Sequence, residues 1–284
     1  MAPPTILFAL DRIVSGYVGG LPGIHAMYAG TDFRWERPIG QDDRVVGDSV
    51  LHALIEKPSK FAKRAIQQIY RTTFTNQRGE RGVRGGLVVL PDRARDRARA
   101  RQVQVRGPAP LLRGRDRRHP SVLRDGRDPG RDAAALGRRD GGEALPVVVK
   151  GPLTVTSVVA FVQGWGSLYV RAHGLAFDLF DRHPALGIPN DFGVPEPPER
   201  VHWDEALARA VGVPGPYDYG PSAWPGSATW STNWMGDAGF LRRLSVKVLR
   251  HNLIGDTTWC RGRVTGKGAG GVVTPGDGRD QSAG

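Results

Sequence analysis

The chain has 284 residues, enough for one large hydrophobic core or for two domains. A single cysteine, Cys260, excludes an internal disulfide, and no apolar run reaches the ~18 residues needed to span a bilayer. The first ten residues have neither a basic region nor a cleavage site, so they do not resemble a signal peptide. These features favour a globular, cytoplasmic protein.

The net charge of +12 is concentrated in residues 81–140. This block holds 17 Arg and 7 Asp, but no Lys, Glu, Phe, Tyr or Trp. Proteins that bind single-stranded nucleic acid carry aromatic side chains among their basic residues. Because this block has no aromatic residue, a nucleic-acid partner is not favoured. The composition is typical of GC-rich DNA read out of frame. We therefore predict an irregular linker over 81–140 that arose by a frameshift; an Arg-rich arm that binds RNA or DNA is the alternative.

Residues 1–80 predict a first domain. Pro3 and Pro4 precede apolar residues at helical spacing, which indicates a helix from Thr5 to Arg12. The strands are predicted from alternation of apolar and polar residues or from a high content of residues that favour strands. They are expected over 31–36, from about 45 to 55, and over 65–76, the last ending in a turn at 76–79.

Residues 141–266 predict a second domain. A turn at 150–153 leads into a helix with Thr154 or Thr156 as its N-cap, and a single long helix is expected over 157–182. We then predict a loop over 183–198 and a strand over 244–248. A turn over 252–256 and a second strand over 257–264 follow. The Gly-rich residues 267–284 predict a disordered tail.

The most informative residue for function is His202. It ends a Pro-rich loop and precedes a short helix that contains the small Ala208, and a Gly/Pro turn with Gly220 follows. An imidazole can abstract a proton near neutral pH, and a glycine-led helix start can hold an oxyanion. The alternative is a purely structural role, in which the histidine is buried or caps a helix and the glycine only forms a tight turn.

The pattern Val201-His202-x5-Ala208 resembles the second half of the motif of MaoC-like (R)-specific enoyl-CoA hydratases. Further stretches are similar to the double hot-dog acyl dehydratases of this family, and together the similarity covers roughly 1–80 and 141–265. These stretches are Gly23–Asp32, Lys150–Thr156, Ile188–Gly193, Tyr217–Pro221, Thr232–Asp237 and Asn252–Trp259.

The resemblance implies an α+β double hot-dog fold, in which antiparallel sheets wrap long helices. It implies reversible addition of water to the double bond of an acyl-CoA thioester, with no metal or redox cofactor. It also implies homo- or hetero-oligomers that form through the hot-dog sheets. Since the first predicted helix begins almost at Met1, we expect the first domain to be incomplete at its N-terminus.

The resemblance also assigns the site. His202 matches the catalytic imidazole, and Gly220 matches the glycine whose N–H binds the thioester oxygen. Tyr217 and Tyr219 are expected to line the acyl pocket, although aromatic residues are more often part of a core.

The family's aspartate would stand at Pro197, which cannot ionise. Glu196, Glu199 and Asp218 are the nearby carboxylates that could replace it. Asp218 and Glu196 are predicted as the catalytic partners of His202. A glutamate in such a loop is nevertheless expected more often to be a solvated acid, which applies to Glu199 as well, and Asp218 is more often a turn or cap residue.

The central helix of the second hot-dog domain is expected directly after Tyr219-Gly220-Pro221. Pro225 and Gly226 oppose it, since proline in a helix interior costs about 3 kcal/mol or more. We therefore expect a damaged helix here, from a second out-of-frame stretch over 223–231. A thioester-binding protein without turnover is thus an alternative function.

Overall fold

In the computed structural model, the described residues are 1–10, 24–59, 63–93, 142–236, 239–268 and 272–282. The α-helices are α1 (Leu7–Leu10), α2 (Val155–Gly164), α3 (His173–Arg182), α4 (Glu205–Ala210) and α5 (Ala223–Met235). The strands are β1 (Ile24–Trp35), β2 (Val46–Ser59), β3 (Lys63–Thr75), β4 (Arg81–Arg93), β5 (Val148–Lys150), β6 (Ile188–Pro189), β7 (Pro195–Glu196), β8 (Arg243–Lys247), β9 (Thr257–Gly268) and β10 (Val272–Ser282).

The larger sheet has five strands in the order β2-β3-β4-β1-β8 and joins the two halves of the sequence. Strand β8, from the second half, pairs antiparallel with β1 of the first half, with Gly30 opposite Lys247. Gly30 has a φ of +148°, and a Cβ there would lie 2.3 Å from the carbonyl oxygen of Val246. Only glycine allows this approach of the two strands.

The second sheet has the order β10-β9-β5, and the short strands β6 and β7 form a separate hairpin. Helix α5 lies between the two large sheets. Ala228 on α5 packs with Phe33 and Phe74 of the five-stranded sheet. Trp230 and Trp234, also on α5, pack with Cys260 and Val264 and thus against the second sheet. The α+β fold with a sheet-wrapped central helix is therefore confirmed.

Most of the predicted elements are present, and Thr154 is the N-cap of α2. Its hydroxyl accepts a hydrogen bond from the N–H of Ser157, and the Ser157 hydroxyl accepts one from the N–H of Thr154. This reciprocal pair is a capping box. The predicted first helix is seen to Leu10; residues 11–23 lie outside the described residues.

The prediction of one long helix over 157–182 is wrong. Helix α2 ends at Gly164, and Gly166 and Ser167 have left-handed φ values of +96° and +53°. A helix cannot continue through two such residues. The chain turns there and starts again as α3.

The expectation of a damaged central helix is also wrong, because α5 runs through Pro225 without interruption. The N-cap is Ser222, so Pro225 is the third helical residue. The first four N–H groups of a helix have no intrahelical partner, and proline in the first turn therefore costs no hydrogen bond.

Two segments that were expected to be irregular are strands. The predicted linker begins at residue 81, yet residues 81–93 form β4 and pair with both β1 and β3. The predicted disordered tail includes β10, which pairs with β9 along its length. Strand pairing uses backbone groups, so glycine-rich and arginine-rich segments can take part in it. Residues 94–141, which include most of the predicted linker, lie outside the described residues.

Candidate active site

His202 is the last residue of a short 3-10 helix, Pro198–His202, that follows the hairpin β6–β7. Proline is well suited to the first position of such a helix because its φ is already set. The side chain of Val201 packs into a cluster with Ala208, Val213 and Tyr217. This cluster holds the His202 backbone in place, and His202 as a whole residue is 7% exposed.

The His202 imidazole is held by two tyrosines. Its Nδ1 lies 3.0 Å from the backbone carbonyl oxygen of Tyr217. Its ring makes edge contacts with the rings of Tyr217 and Tyr219, at centroid distances of 4.6 and 4.8 Å. A carbonyl only accepts, so in the neutral ring Nδ1 carries the proton and the basic lone pair is on Nε2.

Gly220 starts a 3-10 turn, Gly220–Ser222, that leads directly into the central helix α5. A Cβ at Gly220 would lie 2.4 Å from the Cβ of Tyr28 on β1. Glycine is therefore required for close packing of the helix start on the first half of the chain. The start of α5 follows immediately after Tyr219, whose ring contacts His202.

Glu199 was expected to be a solvated loop acid, and that expectation is wrong. Its side chain is buried, and Oε1 accepts a hydrogen bond of 2.8 Å from the N–H of Tyr169. Burial raises the pKa of Glu199 to about 7, although its hydrogen bonds and the charge of Arg171 act in the opposite direction. Residues three apart in a 3-10 helix lie on the same side, so Glu199 shares the inward side of its helix with His202.

Tyr219 belongs to the same cluster. Its ring is buried among Val158 and Val162 of α2. Burial raises the pKa of Tyr219 well above its usual value, and the neighbouring charge of Glu199 raises it further. The tyrosine is therefore a neutral hydroxyl at all physiological pH values.

The other two candidate carboxylates have different partners. Glu196 on β7 accepts a hydrogen bond of 2.9 Å from the Arg200 guanidinium, which also lies 3.2 Å from Asp204. Asp218 accepts a hydrogen bond of 2.9 Å from the hydroxyl of Ser222. Of the predicted site residues, His202, Tyr217 and Tyr219 are thus in direct contact, and Gly220 adjoins them.

Tyr169 has a role in the site that sequence reasoning missed. It was assigned to the interior of a long helix, where its N–H would bond to its own helix. The turn at Gly166 and Ser167 instead directs that N–H to Glu199. The closely spaced glycines Gly164 and Gly166 were the signal for this break.

A cavity of about 460 Å³ lies near the other end of α5. Its lining comes from the N-terminal segment, the end of β1, the second half of α5 and the loop after it, and it does not include His202. Representative lining residues are Pro3, Trp35, Ala228, Met235 and Phe240.

Within the described residues, no group of three or more His, Cys, Asp or Glu side chains is arranged to hold a metal ion. None of the helices that the structure describes is long and apolar enough to cross a membrane.

No protein-family model and no curated protein matches the chain. Solved structures do match. A MaoC-like dehydratase superposes with a TM-score of 0.59 at 18% identity, over 98% of this chain and 82% of the other. A conserved Mycobacterium tuberculosis protein described as having a double hot-dog fold gives 0.53 at 10% identity, over 100% and 78%.

A putative MaoC domain protein dehydratase from Chloroflexus aurantiacus gives a TM-score of 0.51 at 14% identity, over 100% of this chain and 75% of the other. At these identities the similarity is one of fold. This similarity of fold agrees with two features of the structure. Helix α5 lies between two sheets, and β8 pairs with β1 and so joins the two halves of the sequence. The chain therefore has the double hot-dog fold of the MaoC-like dehydratases.

Proposed function

We propose that the chain is a hydro-lyase that adds water to, or removes it from, the C2–C3 bond of an acyl-CoA thioester. The observation that carries the proposal is the position of His202. The ring is buried, its Nδ1 faces a backbone carbonyl, and it contacts the residue that precedes the glycine-led start of the central helix. The double hot-dog fold supports the same reaction class.

The geometry suggests the following chemistry. Nε2 of His202 accepts a proton from a water molecule, and the water oxygen bonds to C3 of the enoyl thioester. The π electrons move through C2 to the thioester oxygen, which N–H groups at the start of the Gly220 turn stabilise. The imidazolium then delivers the proton to C2, so that one water is added in total.

The test is hydration of crotonyl-CoA, followed by the loss of the ultraviolet absorbance of its conjugated double bond. We expect His202→Ala to lower kcat/KM by roughly a hundred- to ten-thousand-fold, the usual contribution of a positioned general base. His52→Ala is the matched control, because His52 is exposed on β2. Wild-type protein without turnover, or activity that survives His202→Ala, contradicts the proposal.

Pro197 favours a second candidate, a protein that binds acyl thioesters without turnover. It stands where the family resemblance places an aspartate and cannot take a proton. A non-hydrolysable acyl-CoA thioether distinguishes the two. Binding by isothermal titration calorimetry with no crotonyl-CoA hydration supports the second candidate.

The proposal extends to assembly and location. Strand β2 is an outer strand of the five-stranded sheet as described. Val46, Val50 and Leu54 on this strand are all more than half exposed. An apolar outer strand supports association through the sheet. Sedimentation velocity tests for such an oligomer. We also propose that the protein is located in the cytoplasm.

A further inference from the structure

The aromatic ring of Tyr217 contacts two imidazole rings. One belongs to His202, at a centroid distance of 4.6 Å and an interplanar angle of 67°. The other belongs to His251, at 4.9 Å and 74°. Both are edge-to-face arrangements, which aromatic rings favour because the positive edge of one ring meets the negative face of the other. Tyr217 therefore connects the candidate base to a second histidine that is distant in the sequence.

The backbone at the contact between His251 and Tyr217 is fixed by a short antiparallel ladder. Directly after His251, residues 252–254 pair with residues 216–218, and Tyr217 lies opposite Leu253. Two backbone hydrogen bonds of 2.8 and 3.0 Å hold this ladder. The side chain of Leu253 also packs against the hydrophobic cluster that contains Tyr217. The main chains that carry the two rings are therefore held against each other.

The hydrogen bond from Nδ1 does not by itself orient the His202 ring. A bond to a single carbonyl oxygen fixes one atom of the ring, and the ring can still turn about the line that joins the two atoms. Such a turn would move Nε2, the proton acceptor, away from its substrate. Contacts with the sides of the ring must prevent it, and the rings of Tyr217 and Tyr219 supply these contacts.

Each of these two tyrosines has its own aromatic neighbour on the side away from the chemistry of the site. The Tyr219 ring lies 5.5 Å from the ring of Trp165 and is buried against α2. The corresponding neighbour of Tyr217 is His251. The ladder fixes the main chain of Tyr217, but it leaves the rotation of its side chain to be restricted by packing. The His251 ring is in the position to restrict it.

We propose that His251 is a positioning residue for His202 and acts through the ring of Tyr217. The inference rests on the proposed function, in which His202 is the base. His251 holds the Tyr217 ring, and the Tyr217 ring keeps the plane of the His202 imidazole fixed. The contact needs a planar ring at residue 251 and needs no proton transfer there. Phenylalanine should therefore replace His251, whereas alanine should not.

The experiment compares full-length wild type with His251→Ala, His251→Phe and the control His52→Ala in crotonyl-CoA hydration. We expect His251→Ala to lower kcat about tenfold with little change in KM, because a misplaced base affects the chemical step and not substrate binding. His251→Phe keeps an edge-to-face contact and should retain kcat within about threefold. His52 is exposed on β2, so its removal should leave kcat unchanged.

A double-mutant cycle tests whether the effect passes through the tyrosine ring. Tyr217→Leu removes the ring and keeps the backbone carbonyl that faces Nδ1 of His202. If His251 acts through the ring, His251→Ala causes no further loss of kcat in the Tyr217→Leu background, so the two substitutions are not additive. Equal losses in both backgrounds overturn the inference, and so does a wild-type kcat in the single variant His251→Ala.

A second measurement does not depend on turnover. In protein with 15N-labelled histidine, we expect the His202 ring signals to shift or broaden in His251→Ala and to lie close to their wild-type positions in His251→Phe. Wild-type protein that shows this response without turnover overturns the hydro-lyase proposal and leaves the positioning role standing. Turnover that depends on His202, with unchanged kcat and His202 signals in His251→Ala, does the reverse.

Near-ultraviolet circular dichroism shows whether each variant is folded. A misfolded His251→Ala transfers the decision to His251→Leu, which fills the space without a planar ring. Wild-type kcat together with wild-type His202 signals in His251→Leu would overturn the inference.

Discussion

Nδ1 of His202 lies 3.0 Å from the backbone carbonyl oxygen of Tyr217. Because that oxygen can only accept, the neutral ring is locked as the Nδ1–H tautomer. This matters for catalysis, since it fixes Nε2 as the atom that can take a proton.

The tautomer can be measured directly. In protein with 15N-labelled histidine, we expect the His202 ring above pH 8 to show a protonated Nδ1 and an unprotonated Nε2. His52→Ala and His183→Ala simplify the assignment, since both side chains are exposed. A His202 ring that carries its proton on Nε2 would be inconsistent with the Tyr217 contact and with the assignment of the base.

Glu199 makes the stability of the protein depend on pH. Its pKa is about 7 in the folded chain against an ordinary value of 4.5, so the folded state binds the proton more tightly than the unfolded state does. Its contribution to stability is full below pH 4.5 and is lost as pH rises through 7. The shift corresponds to at most about 3 kcal/mol in the free energy of unfolding.

Urea denaturation at pH 5 and pH 8 tests this linkage. We expect wild type to lose stability relative to Glu199→Gln between these pH values, because the amide does not titrate. Comparing the two proteins removes the contributions of all other titrating groups. Parallel pH curves for the two would show that Glu199 is not buried in solution.

Gly220 is predicted to tolerate no larger side chain. An alanine Cβ there would overlap the Cβ of Tyr28, at 2.4 Å. We expect Gly220→Ala to lower the free energy of unfolding by about 1–3 kcal/mol, the usual range for overpacking. Gly164→Ala is the control, since no atom lies within 4 Å of its added Cβ and Gly164 ends an α-helix. That variant should be neutral or slightly more stable.

Thermal unfolding followed by circular dichroism measures both glycine variants. Equal midpoints for Gly220→Ala and wild type would show that Tyr28 does not press on the helix start. Crotonyl-CoA hydration by the same variant reports whether displacement of this turn also disturbs the site.

Pro225 is expected to contribute little to helix stability. It lies in the first turn of α5, where its missing N–H has no intrahelical acceptor. We expect Pro225→Ala to change the free energy of unfolding by less than about 1 kcal/mol. Thr229→Pro, one turn further into the same helix, should cost about 3 kcal/mol or more. Urea unfolding of the two variants measures the difference, and a large effect of Pro225→Ala would mean that the helix begins elsewhere.

The aromatic side of the site was predictable from the sequence. His202, Tyr217 and Tyr219 were identified from local patterns, and the rings are in contact. Glu199 was not separable from Glu196 by sequence, because both are acids in one Pro-rich stretch. Which of the two glutamates is buried depends on the side of the 3-10 helix on which it lies. It also depends on the N–H of Tyr169, which precedes Glu199 by thirty residues in the sequence.

The strands were predicted where side chains alternate and missed where pairing rests on the backbone. Strand β3 alternates clearly, and it was expected within two residues of its observed ends. Strand β10 has two glycines and a proline, which indicate a loop, yet its register with β9 extends over eleven residues. Helix α5 illustrates the same limit, because whether Pro225 breaks a helix depends on where the helix begins.

The pairing of β1 with β8 has a consequence for how the polypeptide reaches its native state. The contact joins segments more than two hundred residues apart, as in the ion pair of Asp32 with Arg243. Such long-range contacts slow folding, since a large loop must close before they form. If the backbone is cut between residues 94 and 141, each fragment lacks strands that the other supplies. We expect neither piece to fold alone, and mixing the two should restore one cooperative unit.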